Sequence, residues 1–162
     1  MADNVTGYPP QQHALGCDIA CVSYAANVSY RESLSTFDNP EENVRRGCYC
    51  REMVAALARL GHDYSFIHNR RYSIGYAELP VGSIAYIPKC TNYPAGHFIY
   101  RDKVSWVDPW HNCRHSADIS AAQSGRRYRM AGHPQYMIVP GGDEDRLRRL
   151  IRRRVCRLDQ QS

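Results

Sequence analysis

Nowhere in the 162 residues does an apolar run approach the ~18–20 residues that a membrane-spanning helix needs, so no transmembrane segment is expected. The first twelve residues, Met1 to Gln12, hold neither a basic cluster nor an apolar run. They do not read as a secretory signal, and a cytoplasmic location is expected. Internal repeats, low-complexity tracts and Pro/Gly/Ser-rich linkers are also missing, so a solenoid or a chain cut into halves is not expected. Phenylalanine and tryptophan are scarce, at three and two residues, against twelve tyrosines. Tyrosine suits half-buried sheet faces and contact surfaces, which points to strands without naming a ligand.

The remaining composition, 43% hydrophobic and 23% charged, is that of an ordinary globular protein and excludes disordered, collagenous and coiled-coil classes. Seven cysteines leave at least one unpaired, and in a cytoplasmic chain free thiols are the default. The formal net charge of +5 is concentrated near the C-terminus, where seven arginines between Asp143 and Leu158 follow three acids, Asp143, Glu144 and Asp145. The rest of the chain is close to neutral, so a nucleic-acid binder built on the globular body is not indicated. Within the basic segment Leu147, Leu150, Ile151, Val155 and Leu158 form one apolar stripe. Three uses compete for such a helix: docking on its own domain, a membrane-surface or partner helix, and a nucleic-acid arm. Docking is the commonest, and Arg148, Arg149, Arg152 and Arg153 would then offer a surface to an anionic partner. The division expected is a main domain over residues 1–142 and a docked basic helix over 143–162.

Along the chain, Ala20, Cys21, Tyr24, Ala25 and Val28 recur at helical spacing between Cys17 and Tyr30, with Asp18 favouring the helix dipole. Residues 31–47 read as a loop with a short helical piece. A second helix is expected from about Arg51 to Leu60, stopped by Gly61. Strands are expected at Tyr64 to His68, Gly82 to Ile87, His97 to Arg101, Val104 to Asp108 and Tyr136 to Val139. Helices first and then strands joined by short turns make an α+β fold with an antiparallel sheet.

The hairpin carries the most chemistry. If Asp102 and Lys103 form a two-residue turn, Phe98 faces Val107 and His97 faces Asp108 on one side of the sheet. A carboxylate on one ring nitrogen fixes the imidazole tautomer and leaves the other nitrogen as a general base. Cys17 follows Gly16 at the start of the first helix, where N–H groups and the helix dipole favour a thiolate. Cys21, one turn further on the apolar face, reads instead as a small buried hydrophobe. Gln11, six residues before Cys17, could combine its side-chain amide with the Cys17 N–H to hold a developing oxyanion. Cys48-Tyr49-Cys50 and the alternating His111, Cys113 and His115 are rich in metal-ligating groups, but Cys48-x-Cys50 is tighter than structural zinc spacing. No metal or other cofactor is expected.

Gln11, Gly16-Cys17-Asp18-Ile19-Ala20-Cys21, Gly96-His97-Phe98-Ile99 and Val107-Asp108-Pro109 resemble the papain-like cysteine peptidases. The closest subgroup is the double-glycine leader peptidases of bacteriocin exporters and their stand-alone relatives. The resemblance runs from about Gln11 to Pro109 over several short motifs. It implies a papain-like fold with Cys17 as nucleophile, His97 as base, Asp108 as orienting acid and Gln11 as oxyanion donor. Gly96 and Asp18, next to the base and the nucleophile, are expected to touch substrate. Asp18 stands where the family usually has Gly, and the His-to-Asp interval is short. The activity implied is hydrolysis of a peptide or isopeptide bond through a thioester. The alternatives are acyl transfer to an amine on the same triad, as in transglutaminases, and a non-enzymatic binding protein that uses the basic helix.

Overall fold

Asn27 ends the first helix. It adopts left-handed backbone (φ 55°, ψ 46°) and returns its N–H to the carbonyls of Ser23 and Tyr24. In the computed structural model, which describes residues 7–113 and 117–161, this helix is therefore α1, Cys17–Ala26, shorter than the periodicity alone suggests. Tyr30 instead opens α2, Tyr30–Ser35, where the Ser29 hydroxyl caps the Glu32 N–H. The segment expected to be mostly loop holds a further helix, α3, Pro40–Arg46, with Pro40 in its first turn, two acids near its start and two arginines at its end. Helix α4, Cys50–Arg59, begins where the Glu52 carboxylate accepts the Tyr49 N–H at 2.6 Å, and Met53, Ala56 and Leu57 are its buried side chains. Gly61 follows at φ +85°, a conformation that an L side chain adopts only under strain.

Six strands form one antiparallel sheet: β1 Tyr64–His68, β2 Ile84–Ile87, β3 His97–Arg101, β4 Trp106–Asp108, β5 Gly125–Arg127 and β6 Tyr136–Pro140. Their order is β1-β6-β2-β3-β4-β5, so the last strand to be made sits between the first two. Strand β5 has no signature in the sequence: three residues, Gly-Arg-Arg, without alternation. Ile84, Phe98, Val107 and Ile138 pack with α1 and α4 in one core cluster. Ala85, Ile99, Met137 and Val139 pack with Leu147, Ile151 and Val155 in a second.

Those last three residues belong to α5, Glu144–Asp159, so the basic helix is docked on the sheet by its apolar stripe. Arg154 pins it to Glu78 at 2.7 Å and to the Ser73 carbonyl at 2.6 Å. Arg148 is engaged as well, by Glu144 and the Phe66 carbonyl, and so leaves the group of free cations expected there. Arg149, Arg152 and Arg153 are exposed and, among the described residues, have no acidic partner. No helix among the described residues is long and apolar enough to cross a membrane.

Candidate active site

The β3–β4 hairpin closes through a wider loop than a two-residue turn. Asp102 accepts the N–H groups of Val104 and Ser105 on Oδ1, both at 2.8 Å, and its own N–H meets the Ser105 carbonyl at 3.0 Å. Arg126 holds the same carboxylate at 2.7 Å. Lys103 is a poor residue for the positive-φ positions of a tight turn, and this side-chain-capped loop avoids them. Tyr100 consequently pairs with Val107 and Arg101 with Trp106, which puts Asp108 across from Ile99 rather than His97. The expected register is off by two residues. A shift of two keeps every side chain on its face, so His97 and Asp108 still meet, diagonally instead of directly.

Asp108 is fully buried and all its acceptor positions are filled. Oδ1 takes the His97 Nε2–H at 2.6 Å and the Trp110 backbone N–H at 2.9 Å, while Oδ2 takes Arg127 Nε–H at 2.6 Å and the Tyr93 hydroxyl at 3.0 Å. Burial alone would raise this carboxyl, but His97, Arg127 and the Trp110 N–H outweigh it and hold the group well below the usual carboxylate range. An ionised carboxylate only accepts, so the proton of this imidazole sits on Nε2 and the second ring nitrogen is left free, with Cys17 close enough to act on the ring. Burial works against a charged imidazole here. Asp108 and then Cys17 overcome that and raise His97 above its ordinary range. Tyr93 lies flat on the imidazole, centroids 4.4 Å apart and planes within 1°, which fixes the ring plane as Asp108 fixes its tilt.

Neither Arg127 nor Tyr93 was singled out from the sequence. Arg127 comes from β5, opposite Trp106, two pairs removed from Asp108 and so on the same face. It also reaches the Tyr93 hydroxyl. Gly125, opposite Asp108, is needed for space, because a Cβ there would lie 2.4 Å from the His111 ring.

Cys17 is the first residue of α1, so its N–H is among those with no partner inside the helix. Gln11 is buried nearby and its backbone N–H bonds the Pro109 carbonyl at 3.1 Å, tying the segment before Cys17 to the end of β4. Its side-chain Nε2 donates to His13 O at 2.9 Å and Ala14 O at 3.2 Å, and its Oε1 is buried without a partner. Both amide protons are thus occupied in the free protein. An oxyanion would have to displace the longer bond, to Ala14, a residue of the cleft wall.

Asp18 is buried, with Oδ1 on the Ile19 N–H and Oδ2 on the Cys48 N–H, so it braces the cleft wall rather than presenting a carboxylate to substrate. Burial raises it to about 6, with those N–H groups opposing. Gly96 does line the cleft beside His97. Its φ is +79°, and a Cβ there would fall 2.0 Å from the Tyr86 hydroxyl.

The cleft has a volume of about 680 Å³, within the range of small-molecule and peptide side-chain sites. Cys17, His97 and Gly96 line it together with the Arg46–Arg51 connection, and Phe66, Tyr86, Phe98 and Tyr136 supply aromatic surface. Cys48 and Cys50 also line it, and burial pushes both thiols up, Cys50 to about 11. Burial raises Cys21 too. Among the described residues no three His, Cys, Asp or Glu side chains are grouped to hold a metal. His115, one of the alternating set considered for zinc, lies outside the described residues.

Comparison of the chain with protein-family models, with curated proteins and with solved structures finds no match in any of the three. What the site can do is therefore argued from its own geometry.

Proposed function

We propose that this chain is a cysteine peptidase of papain-like fold, acting through Cys17, His97 and Asp108. The observation that carries the reading is the buried chain of hydrogen bonds from Arg127 through Asp108 to His97, with His97 and Cys17 lining one cleft. The order of the chain supports the fold: a helix that begins at the thiol, then an antiparallel hairpin carrying base and acid.

In this reading His97 holds the proton of Cys17, and the thiolate attacks the carbonyl carbon of a peptide or isopeptide bond. The carbonyl oxygen becomes an oxyanion, met by the Cys17 N–H and by the Gln11 amide once it leaves the Ala14 carbonyl. His97 gives its proton to the leaving amine as the C–N bond breaks and a thioester remains on Cys17. Water, deprotonated by His97, then attacks the thioester and the thiol is regenerated with release of a carboxylate. An amine bound in place of water would take the acyl group instead. Asp108 keeps its charge throughout and orients the ring.

A peptide aldehyde tests this directly, since it adds reversibly to an activated thiolate and places an oxyanion in the same position. The expected result is a thiohemiacetal on Cys17 alone, lost in Cys17→Ala and weakened in Gln11→Ala. No adduct, or an adduct spread over Cys113 and Cys156, would overturn the reading. A second, separate role rests on the exposed Arg149, Arg152 and Arg153, which suit an anionic partner. Its test is salt-dependent binding to heparin lost in the triple Arg→Gln variant.

A further inference from the structure

The charges around the cleft are one-sided. Among the described residues Asp18 is the only carboxylate of its lining, and both its oxygens are spent on backbone N–H groups of the wall. In the peptidase reading the charges of Cys17 and His97 cancel. Among the described residues three cations line the same space: Arg46, Arg51 and Lys89. Arg46 is neutralised by Glu52 at 2.7 Å and Glu42 at 3.6 Å. Arg51 and Lys89 are exposed, and among the described residues neither has an acidic partner. Arg51 is not loose. Its guanidinium lies 5.6 Å from the centre of the Tyr49 ring, which Arg46 also covers at 4.7 Å, so it is held against the wall by cation–π contact. Lys89 comes from the connection between β2 and β3, a separate part of the lining. The aromatic rings of the lining pack on one another, with the centre of Tyr86 4.9 Å from that of Phe98 and 6.0 Å from that of Tyr136. Phe66, still 42% exposed, adds to it.

From this arrangement we infer that the cleft selects acidic peptide segments, with a carboxylate side chain close to the scissile bond held by Arg51 or Lys89 and its neighbours laid on the aromatic surface. The inference rests on the peptidase reading and adds the substrate class to it. A basic segment would place like charges in the cleft with no acid free to answer them, and that repulsion contributes as much to selection as the attraction. Charge in a cleft with low-dielectric walls also raises the local concentration of an anionic substrate.

The test uses two reagents that differ in charge and not in chemistry, iodoacetate and iodoacetamide, with alkylation of each cysteine read by mass spectrometry. The exposed Cys156 on α5 is the internal reference. Cations in the cleft accelerate the anionic reagent at Cys17 selectively. The iodoacetate-to-iodoacetamide rate ratio at Cys17 is expected to fall roughly 3–10-fold in the Arg51→Gln/Lys89→Gln double variant at low ionic strength. Salt should produce a similar fall in the wild type. Tetraglutamate should protect Cys17 from iodoacetamide, and tetralysine should not. A rapid Cys17 whose ratio is indifferent to both variant and salt, or equal protection by the two peptides, overturns the inference and leaves the peptidase standing. A Cys17 no faster than Cys156 with either reagent removes the peptidase reading itself. Both side chains are exposed, so the variants keep the fold, and the salt and protection arms need no variant at all.

Discussion

Arg127 offers the sharpest perturbation. In the proposed peptidase the active form of the site would be a row of alternating charges: Cys17 thiolate, His97 imidazolium, Asp108 carboxylate, Arg127 guanidinium. The row sums to zero, and without Arg127 it carries one uncompensated negative charge. Arg127 and His97 grip opposite oxygens of one carboxylate, each at 2.6 Å, so their charges lie about 6–7 Å apart. At an effective dielectric of ~20 that separation is worth about 2–3 kcal/mol, or roughly 1–2 pH units on the imidazolium. Cys17 is farther away and feels less. Arg127→Gln keeps a donor for Asp108 and removes the charge. Loss of a cation stabilises the imidazolium and destabilises the thiolate, so both limbs of the bell-shaped pH dependence of Cys17 alkylation should move to higher pH, the alkaline limb by about one unit or more. Arg127→Lys should restore the wild-type limbs. Limbs that stay put while the melting temperature drops would mean that Arg127 is only a structural brace, and the charge argument would fail.

Other perturbations follow from the same structure. Tyr93→Phe removes a hydroxyl shared by Asp108 and Arg127, and should cost about 1 kcal/mol of stability in urea unfolding while moving the alkylation limbs in the same direction as Arg127→Gln, by less. Asp18, raised from 3.8 to about 6 by burial, binds its proton more tightly folded than unfolded, so it lowers stability as pH rises through that interval, by at most about 3 kcal/mol. The stability of Asp18→Asn relative to wild type should therefore improve as pH rises from ~4 to ~6 and level off above ~7, and a difference flat across pH ~4–6 would refute the assignment. Leu147 of α5 is fully buried against the sheet, so Leu147→Ala should cost about 2–5 kcal/mol, against about 0.5 kcal/mol or less for the exposed Arg152→Ala.

Much of this was legible before the coordinates. The helix opening at Cys17, the helix ended by Gly61, the strands bearing His97 and Asp108, and the apolar stripe of α5 all declare themselves through periodicity and stop residues, which are local signals. Register was less legible, because it depends on the hairpin loop, and the loop on the Asp102 carboxylate reaching Val104, Ser105 and Arg126. The face of His97 survived that error only because the slip was even. Strand β5 was invisible: Gly125, Arg126 and Arg127 have no hydrophobic pattern, and what makes them a strand is pairing with β4. With the strand went Arg127. Tyr93 carries no signal of its own, since nothing local says that its ring covers an imidazole four residues on. Asp18 was expected to face substrate because it follows the nucleophile. Its carboxylate turns to the Cys48 N–H instead, a contact thirty residues away in the chain.

The most direct measurement of the central claim is site-resolved alkylation of the folded protein with limiting iodoacetamide across pH 5–9, repeated with His97→Ala. A Cys17–His97 pair should make Cys17 the fastest thiol well below the ~8.5 of an ordinary cysteine, with Cys21, Cys48 and Cys50 silent, and His97→Ala should abolish that low-pH reactivity. A Cys17 that reacts no faster than Cys156, or one equally reactive without His97, would contradict it.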